Sequence, residues 1–466
     1  MKQFIISMIL LTGISTNSAF SQTGTLHVTI TDYEKKPLQY VNVILSTGEG
    51  KVTNKLGEYS IENVNPGVCT IRISSMGYDT ETKQVSIIPS QTLQVNFQLK
   101  EQVLELQSVE IIGSRATTYD NKTSFAATKV ATLVKDIPQA ISYITKEVMS
   151  DRLSYRINDV VKNISSVNQF SFYNDYTIRG FRSQQETING LRVVGLFGPQ
   201  ILTPTLERVE VIKGPASAIL GNGNPGGTMN RVTKNPLTTE KKAISFTTGS
   251  FNIFRSTLDF TGPLNESKTL LYRLNVAYEN SDDFRDLQEF KSIVIAPSVS
   301  FIPSSKTRLN FDLVLQKFDG KLDSGQPIFG ASSGTNLNST PISFAIGQTN
   351  DYQRSDANFA TISLSHKFSE NITFNTSYMK YLFDEDLIEH RTSNAFAING
   401  SGMPIPTLMN MQVLNRQREF ISDNVSSYFT LKANSGSLEH SILVGMITSL
   451  KNNQSEPPQA WLGVTC

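Results

Sequence analysis

From about residue 241 onward, apolar and polar side chains alternate. In LLYRLNVAYEN, Leu270, Tyr272, Leu274, Val276 and Tyr278 fall on one face, and Arg273, Asn275, Ala277 and Glu279 on the other. In TRLNFDLVLQK, Leu309, Phe311, Leu313 and Leu315 oppose Arg308, Asn310, Asp312 and Gln316. A period of two predicts strands with one apolar and one polar face. A transmembrane barrel with a polar lumen has this pattern, and so does a soluble sandwich. Residues 23–100 carry shorter apolar runs (LHVTI, YVNVIL, CTIRIS, LQVNFQL) between turn clusters such as Asn65-Pro66-Gly67, which predicts a small β-sandwich. In the stretch between, one helix is predicted to start near Thr145. A second is predicted in LSYRINDVVKNIS, where Leu153, Ile157, Val160 and Val161 share a helical face. With strand and turn around them, residues 119–240 read as an α+β globule.

Connector lengths separate the two readings of the alternating region. Brief turns at 262–268, 302–306, 368–371 and 433–437 alternate with longer links near 282–290, 320–354 and 385–416. Short turns on one rim and long loops on the other are expected of an outer-membrane barrel.

Charge adds little: 42 basic side chains against 41 acidic ones give no case for nucleic-acid binding. The 26 Phe and 15 Tyr against one Trp fit a β-rich protein with aromatic surfaces. Residues 1–21 read as a secretory signal, with Lys2, an apolar Phe4-to-Leu11 core and Ala19-Phe20-Ser21 at the cleavage site. That core is too short to span a membrane as a helix, which takes about 20 residues. Cys69 and Cys466 lie too far apart in the chain to suggest a disulfide framework.

Two motif matches fail on context. GNGNPGG at 221–227 contains G-x-G-x-x-G, but Pro225 interrupts it and TMNRVT reads as a strand, so no helix N-terminus awaits a pyrophosphate. Tight turns needing positive φ explain these glycines better. GASSG at 330–334 lies in a polar loop rather than at a strand-to-helix elbow. His27, His366, His390 and His440 are scattered, with no H-E-x-x-H or C-x-x-C, so no catalytic residue and no protein-built metal site is expected.

The stretch LERVEVIKGPASAILGNGNPGGTMNRVTKNP at 206–236, preceded by TIRGF at 177–181 and NGLRV at 189–193, resembles the plug of TonB-dependent outer-membrane receptors, in particular those for ferric siderophores. GKVTNKLGEYSIENVNPGVCTIRISSMGYDT resembles the carboxypeptidase-regulatory-like domain that often precedes such receptors in Bacteroidetes. The resemblance implies a mainly β protein and no enzyme: signal peptide 1–21, sandwich 22–100, linker 101–118, plug 119–240, partial barrel 241–450 and irregular tail 451–466.

It also implies roles. Val109, Glu110, Ile111 and Ile112 resemble a TonB box, which a TonB–ExbB–ExbD complex would grip by strand pairing. The last strand of the sandwich is the other reading of this strip. Arg179 and Lys213 stand where family members pair plug cations with barrel glutamates; a solvated surface charge is the alternative. Tyr173, Asn174, Tyr176, Phe197 and Gln200 follow the order of plug loops that touch ligand. The cargo would be a ferric siderophore, whose metal arrives already chelated. The location implied is the outer membrane of a Gram-negative cell, in contact with its lipid, with the N-terminal domain in the periplasm. Lys213-Gly214-Pro215-Ala216-Ser217 favours siderophores over glycan import, where K-D-A-S-A is commoner. Plugged transporters use 22 strands, and roughly nine are legible here. The chain is therefore expected to be C-terminally incomplete, and a non-transporting product stays open as an alternative.

Overall fold

The computed structural model describes residues 23–33, 35–48, 50–75, 78, 80–99, 119, 123–124, 128–129, 132–137, 139–173, 175–183, 186–193, 201–214, 224–326, 340–435, 438–454 and 461–464. The signal-like segment, the Val109–Ile112 strip, Asn174, Phe197, Gln200 and GASSG lie outside these residues. The chain divides into two compact units, Met1–Val103 and Leu104–Cys466.

In the first unit, β1 (Gly24–Asp32) pairs antiparallel with β4 (Glu58–Val64) and parallel with β7 (Thr92–Leu99). The second sheet runs β3 (Gly50–Val52), β2 (Asn42–Leu45), β5 (Gly67–Ser74) and β6 (Glu81–Ile87). Alternate residues of β1 (Leu26, Val28, Ile30) and β5 (Cys69, Ile71, Ile73) fill one core with Val43, Val95 and Phe97. That is the expected sandwich.

The second unit begins with a globule. A two-stranded ladder joins β8 (Thr123–Ser124) to β9 (Thr132–Leu133). The central sheet is ordered β10 (Ala140–Thr145), β16 (Leu206–Lys213), β17 (Gly227–Thr233), β14 (Glu186–Ile188) and β15 (Leu191–Val193). A smaller sheet holds β11 (Val167–Gln169), β12 (Tyr176–Ile178) and β13 (Phe181–Ser183). The predicted helices are present as α1 (Lys146–Asp151), N-capped by Thr145, and α2 (Ile157–Val161). Ile157, Val160 and Val161 enter the core with Val209, Val211 and Met229. Leu153 does not: it sits at φ 50° between the helices and is exposed. At the end of the glycine-rich stretch, Gly227 has φ +138°, and a Cβ there would lie 2.4 Å from the Ile212 carbonyl oxygen. Gly227→Ala is expected to cost about 1–3 kcal/mol, read as a lower urea midpoint for the plug.

Nine strands then follow as an antiparallel meander: β18 (Lys241–Thr248), β19 (Phe254–Pro263), β20 (Leu270–Asp282), β21 (Glu289–Ser304), β22 (Thr307–Gly320), β23 (Tyr352–Ser369), β24 (Ile372–Ile398), β25 (Pro404–Ser435) and β26 (Leu438–Gln454). Their faces alternate as predicted. Arg273, Asn275, Ala277 and Glu279 are buried toward the globule, as are Arg308, Asn310, Asp312 and Gln316, while Leu309, Phe311 and Leu315 face outward.

Two predictions change. The link near 385–416 is mostly paired strand, since β24 and β25 continue in register from Glu385↔Arg418 to Thr392↔Met411. A bilayer needs only about 9–11 residues of tilted strand, so these strands project well beyond it. Within the tail read as irregular, β26 runs to Gln454 and β27 (Trp461–Val464) pairs with Met411–Leu414. Backbone hydrogen bonding to a long neighbouring strand outweighs the poor local alternation there.

Candidate functional site

Among the described residues, two ionic contacts fasten the globule to the strand wall. Residues 154–156 zip onto 202–203: Thr203 Oγ1 donates to the Ser154 carbonyl at 2.6 Å, and the Thr203 amide to that of Tyr155 at 3.0 Å. This directs Tyr155 and Arg156 at the wall. Arg156 donates through Nε and Nη2 to Glu279 at 3.1 and 2.7 Å, and through Nη2 to Ser281 Oγ at 3.0 Å. Arg255 reaches the same carboxylate from β19 at 2.9 Å. The Tyr155 hydroxyl lies 3.2 and 3.1 Å from the Ser256 and Tyr278 carbonyls. Burial, then the Glu279 carboxylate, pushes its pKa well up. Glu279 is 1% exposed, and its two arginine partners, at 16% and 15%, stay partly open to solvent.

The second contact lies where the globule leads into β18. Lys234 meets Asp259 at 3.2 Å, and Arg273 grips Asp259 through two bonds of 2.8 and 2.7 Å while donating to the Asn235 carbonyl. Burial lowers the Lys234 pKa, with Asp259 opposing. Nearby, Lys146 and Glu207 pair at 2.5 Å. Burial would raise the Glu207 carboxyl, but Lys146 and then Arg273 and Lys234 hold it below its ordinary value. An apolar seam joins Ile188, Leu191, Val193 and Leu202 to Val294, Val314, Phe359, Tyr381 and Phe383.

At the long-loop rim the globule presents the β11–β12 loop. The Tyr173 hydroxyl donates to Glu389 at 2.6 Å and accepts from Arg391 at 3.1 Å, with the Arg416 guanidinium 5.4 Å from its ring centroid. Burial, then Glu389, pushes the Tyr173 pKa up to about 12. Arg416 and Arg418 both bind Glu385, which also accepts from Gln353 at 2.8 Å. Phe170 is exposed beside Arg182, whose guanidinium lies 4.7 Å from its centroid and pairs with Asp175. Aromatic faces and fixed cations thus share one rim, a composition suited to a polar, oxygen-rich ligand.

Of the sequence-predicted residues, Tyr173 stands at this rim. Tyr176 is corrected to a core residue: it is 3% exposed and its hydroxyl donates to Asn158 at 2.7 Å, out of reach of a ligand at the rim. Arg179 and Lys213 are placed near each other. Arg179 occupies an exposed turn at φ 52° between β12 and β13. Lys213 donates to Ser142 Oγ at 2.9 Å and to the Ser165 carbonyl at 2.7 Å, both within the globule. Burial, then Arg179, lowers its pKa. Between described residues, the ionic contacts to the wall come from Arg156 and Lys234 instead. The sequence signal was there: Glu279 and Asp259 are carboxylates at inward positions of alternating strands, and each needs a cation.

Comparison with known proteins agrees with this geometry. Residues 133–228 match the TonB-dependent Receptor Plug Domain and residues 28–111 the CarboxypepD_reg-like domain. The metal-pseudopaline receptor CntO of Pseudomonas aeruginosa is 33% identical over 257 residues, covering 54% of this chain and 36% of that protein. The ferrichrome outer membrane transporter/phage receptor of Escherichia coli is 27% identical, over 55% and 36% of the two chains. The chain thus spans little over a third of the length of these relatives. Among solved structures, the pyoverdine outer membrane receptor FpvA of P. aeruginosa superposes with a TM-score of 0.67 at 24% identity, over 75% of this chain and 51% of that one. The siderophore receptor PiuA of Acinetobacter baumannii gives 0.62 at 21%, over 73% and 51%. These matches share the fold. The chain carries the plug of the TonB-dependent receptors, behind a carboxypeptidase-regulatory-like domain and against the strands of a partial barrel, and its relatives are siderophore and metal receptors of the outer membrane.

Proposed function

We propose that this protein imports a ferric siderophore across the outer membrane, using energy from the inner membrane. The observation that carries the reading is a plug whose loop meets the barrel wall at the long-loop rim through Tyr173, Glu389 and Arg391. What the relatives bind supports siderophores over glycans. The metal enters already chelated, so the rim reads the chelate's surface, and no cofactor of the protein's own takes part.

Capture from dilute solution needs tight binding, and a nanomolar site holds its ligand by about 12 kcal/mol. Release inward then needs work from outside the site. The Val109–Ile112 strip is the segment that a TonB–ExbB–ExbD complex would pair with and pull. The short turns would face the periplasm together with the N-terminal sandwich, in a Gram-negative, Bacteroidetes-like cell. Deleting residues 108–113 is expected to abolish uptake of radiolabelled ferric siderophore and leave binding to whole cells intact. Undiminished uptake would refute the pulling role.

A further inference from the structure

Next to the apolar seam lies a cavity of about 40 Å³, lined from the plug by Ile188, Ile201, Leu206 and Arg231 and from the wall by residues including Ala357 and Tyr381. Arg231 is 3% exposed; its Nη2 meets Glu186 at 3.0 Å, while Nε and Nη1 have no partner among the described residues. Two hydrogen-bonding arms of a buried guanidinium therefore stand idle in the closed plug. Such groups are normally satisfied, by water where protein offers nothing. A cavity of this size takes about two or three waters.

The fastenings are uneven. The ion pairs between described plug and wall residues end on β19 and β20, at Asp259 and Glu279. The facing surfaces of β21–β24 around the cavity are mainly Val294, Val314, Ala357 and Phe359. At the rim the Tyr173–Glu389 bond to β24 must release for this side to open. Apolar contact is non-directional, so around the cavity it can part and reseat without orphaning a charge. Parting it lets water or the oxygen atoms of a cargo reach Arg231.

We propose that the cargo's passage opens at the Arg231 cavity, between the plug and β21–β24, while the plug stays fastened to β19–β20. Arg231 then lines the passage and donates to the cargo's oxygen atoms. This rests on the transport reading above.

The test is a pair of tethers in the protein expressed in whole cells, in a Cys466→Ser background. One joins Tyr155→Cys to Ser256→Cys on the fastened side; the other joins Ile201→Cys to Ala357→Cys across the cavity. Each is closed with a short bismaleimide. The first is expected to leave ferric-siderophore uptake within about twofold, and the second to lower it about tenfold or more, with binding unchanged in both. A variant that keeps the fold, Ala357→Leu, fills the cavity and is expected to slow uptake without weakening binding. Uptake that survives the cavity tether overturns the proposal, as does uptake lost with the β19 tether. Unchanged uptake in Ala357→Leu also counts against it. If the untethered protein takes up no ferric siderophore, the transport reading itself fails.

Discussion

Glu279→Leu is expected to destabilise the plug–barrel contact by about 3 kcal/mol, because it leaves two partly exposed guanidinium groups without their buried carboxylate. Arg156 and Arg255 converge on Glu279 with bonds of 2.7–3.1 Å. Arg156 also packs over Phe290 at 4.0 Å, and Arg255 over Tyr155 at 4.6 Å. The readout is the urea midpoint of the detergent-solubilised protein. Replacing the whole triad, as Arg156→Met, Arg255→Met and Glu279→Leu together, is expected to recover most of the loss, since no charge is then left unpaired. A triple variant as unstable as the single one would mean that packing at this spot, rather than charge, holds the plug.

Lys129→Met is expected to act in the opposite direction. Lys129 is 4% exposed and, among the described residues, donates to the Gly190 carbonyl at 3.3 Å. Burial lowers its pKa from 10.5 to about 8. That difference corresponds to roughly 3 kcal/mol held against the folded plug at neutral pH. The unfolded chain binds the extra proton between about pH 8 and 10.5, so the wild-type plug gains stability as pH rises through that window. Methionine keeps the buried stem and loses the charge. The gain of Lys129→Met, about 1–3 kcal/mol after the lost carbonyl bond, should be full at pH 7 and vanish above about pH 10.5. Urea titrations at pH 7, 9 and 10.5 check this, and a gain independent of pH would contradict it. Lys129 lies between β8 and β9, downstream of the Val109–Ile112 strip.

The elements legible in the sequence were those with local causes. The alternation of 270–279 and 308–316 depends on neighbouring residues alone, and both segments turn the faces it foretold. The α1 start at Thr145 and the apolar face of α2 were legible for the same reason. Arg156 was hidden inside a segment read only for its helical spacing, and its partner lies 123 residues away. Tyr176 has the residue type of a binding-loop aromatic, and only the packing of Asn158 behind it makes it a core residue. The link near 385–416 lacked a clear period, yet pairing between β24 and β25 makes it strand.

By itself the sequence determined the facing of the alternating segments and the two motif-bearing regions. Each follows from periods and turn chemistry a few residues long. Only the tertiary structure decided which cations fasten the plug, that Arg179 and Lys213 sit beside each other, and that Arg231 faces a cavity with two arms unpartnered among the described residues. Such pairings join residues distant in the chain, and a buried charge takes whichever partner the assembled sheets bring within reach.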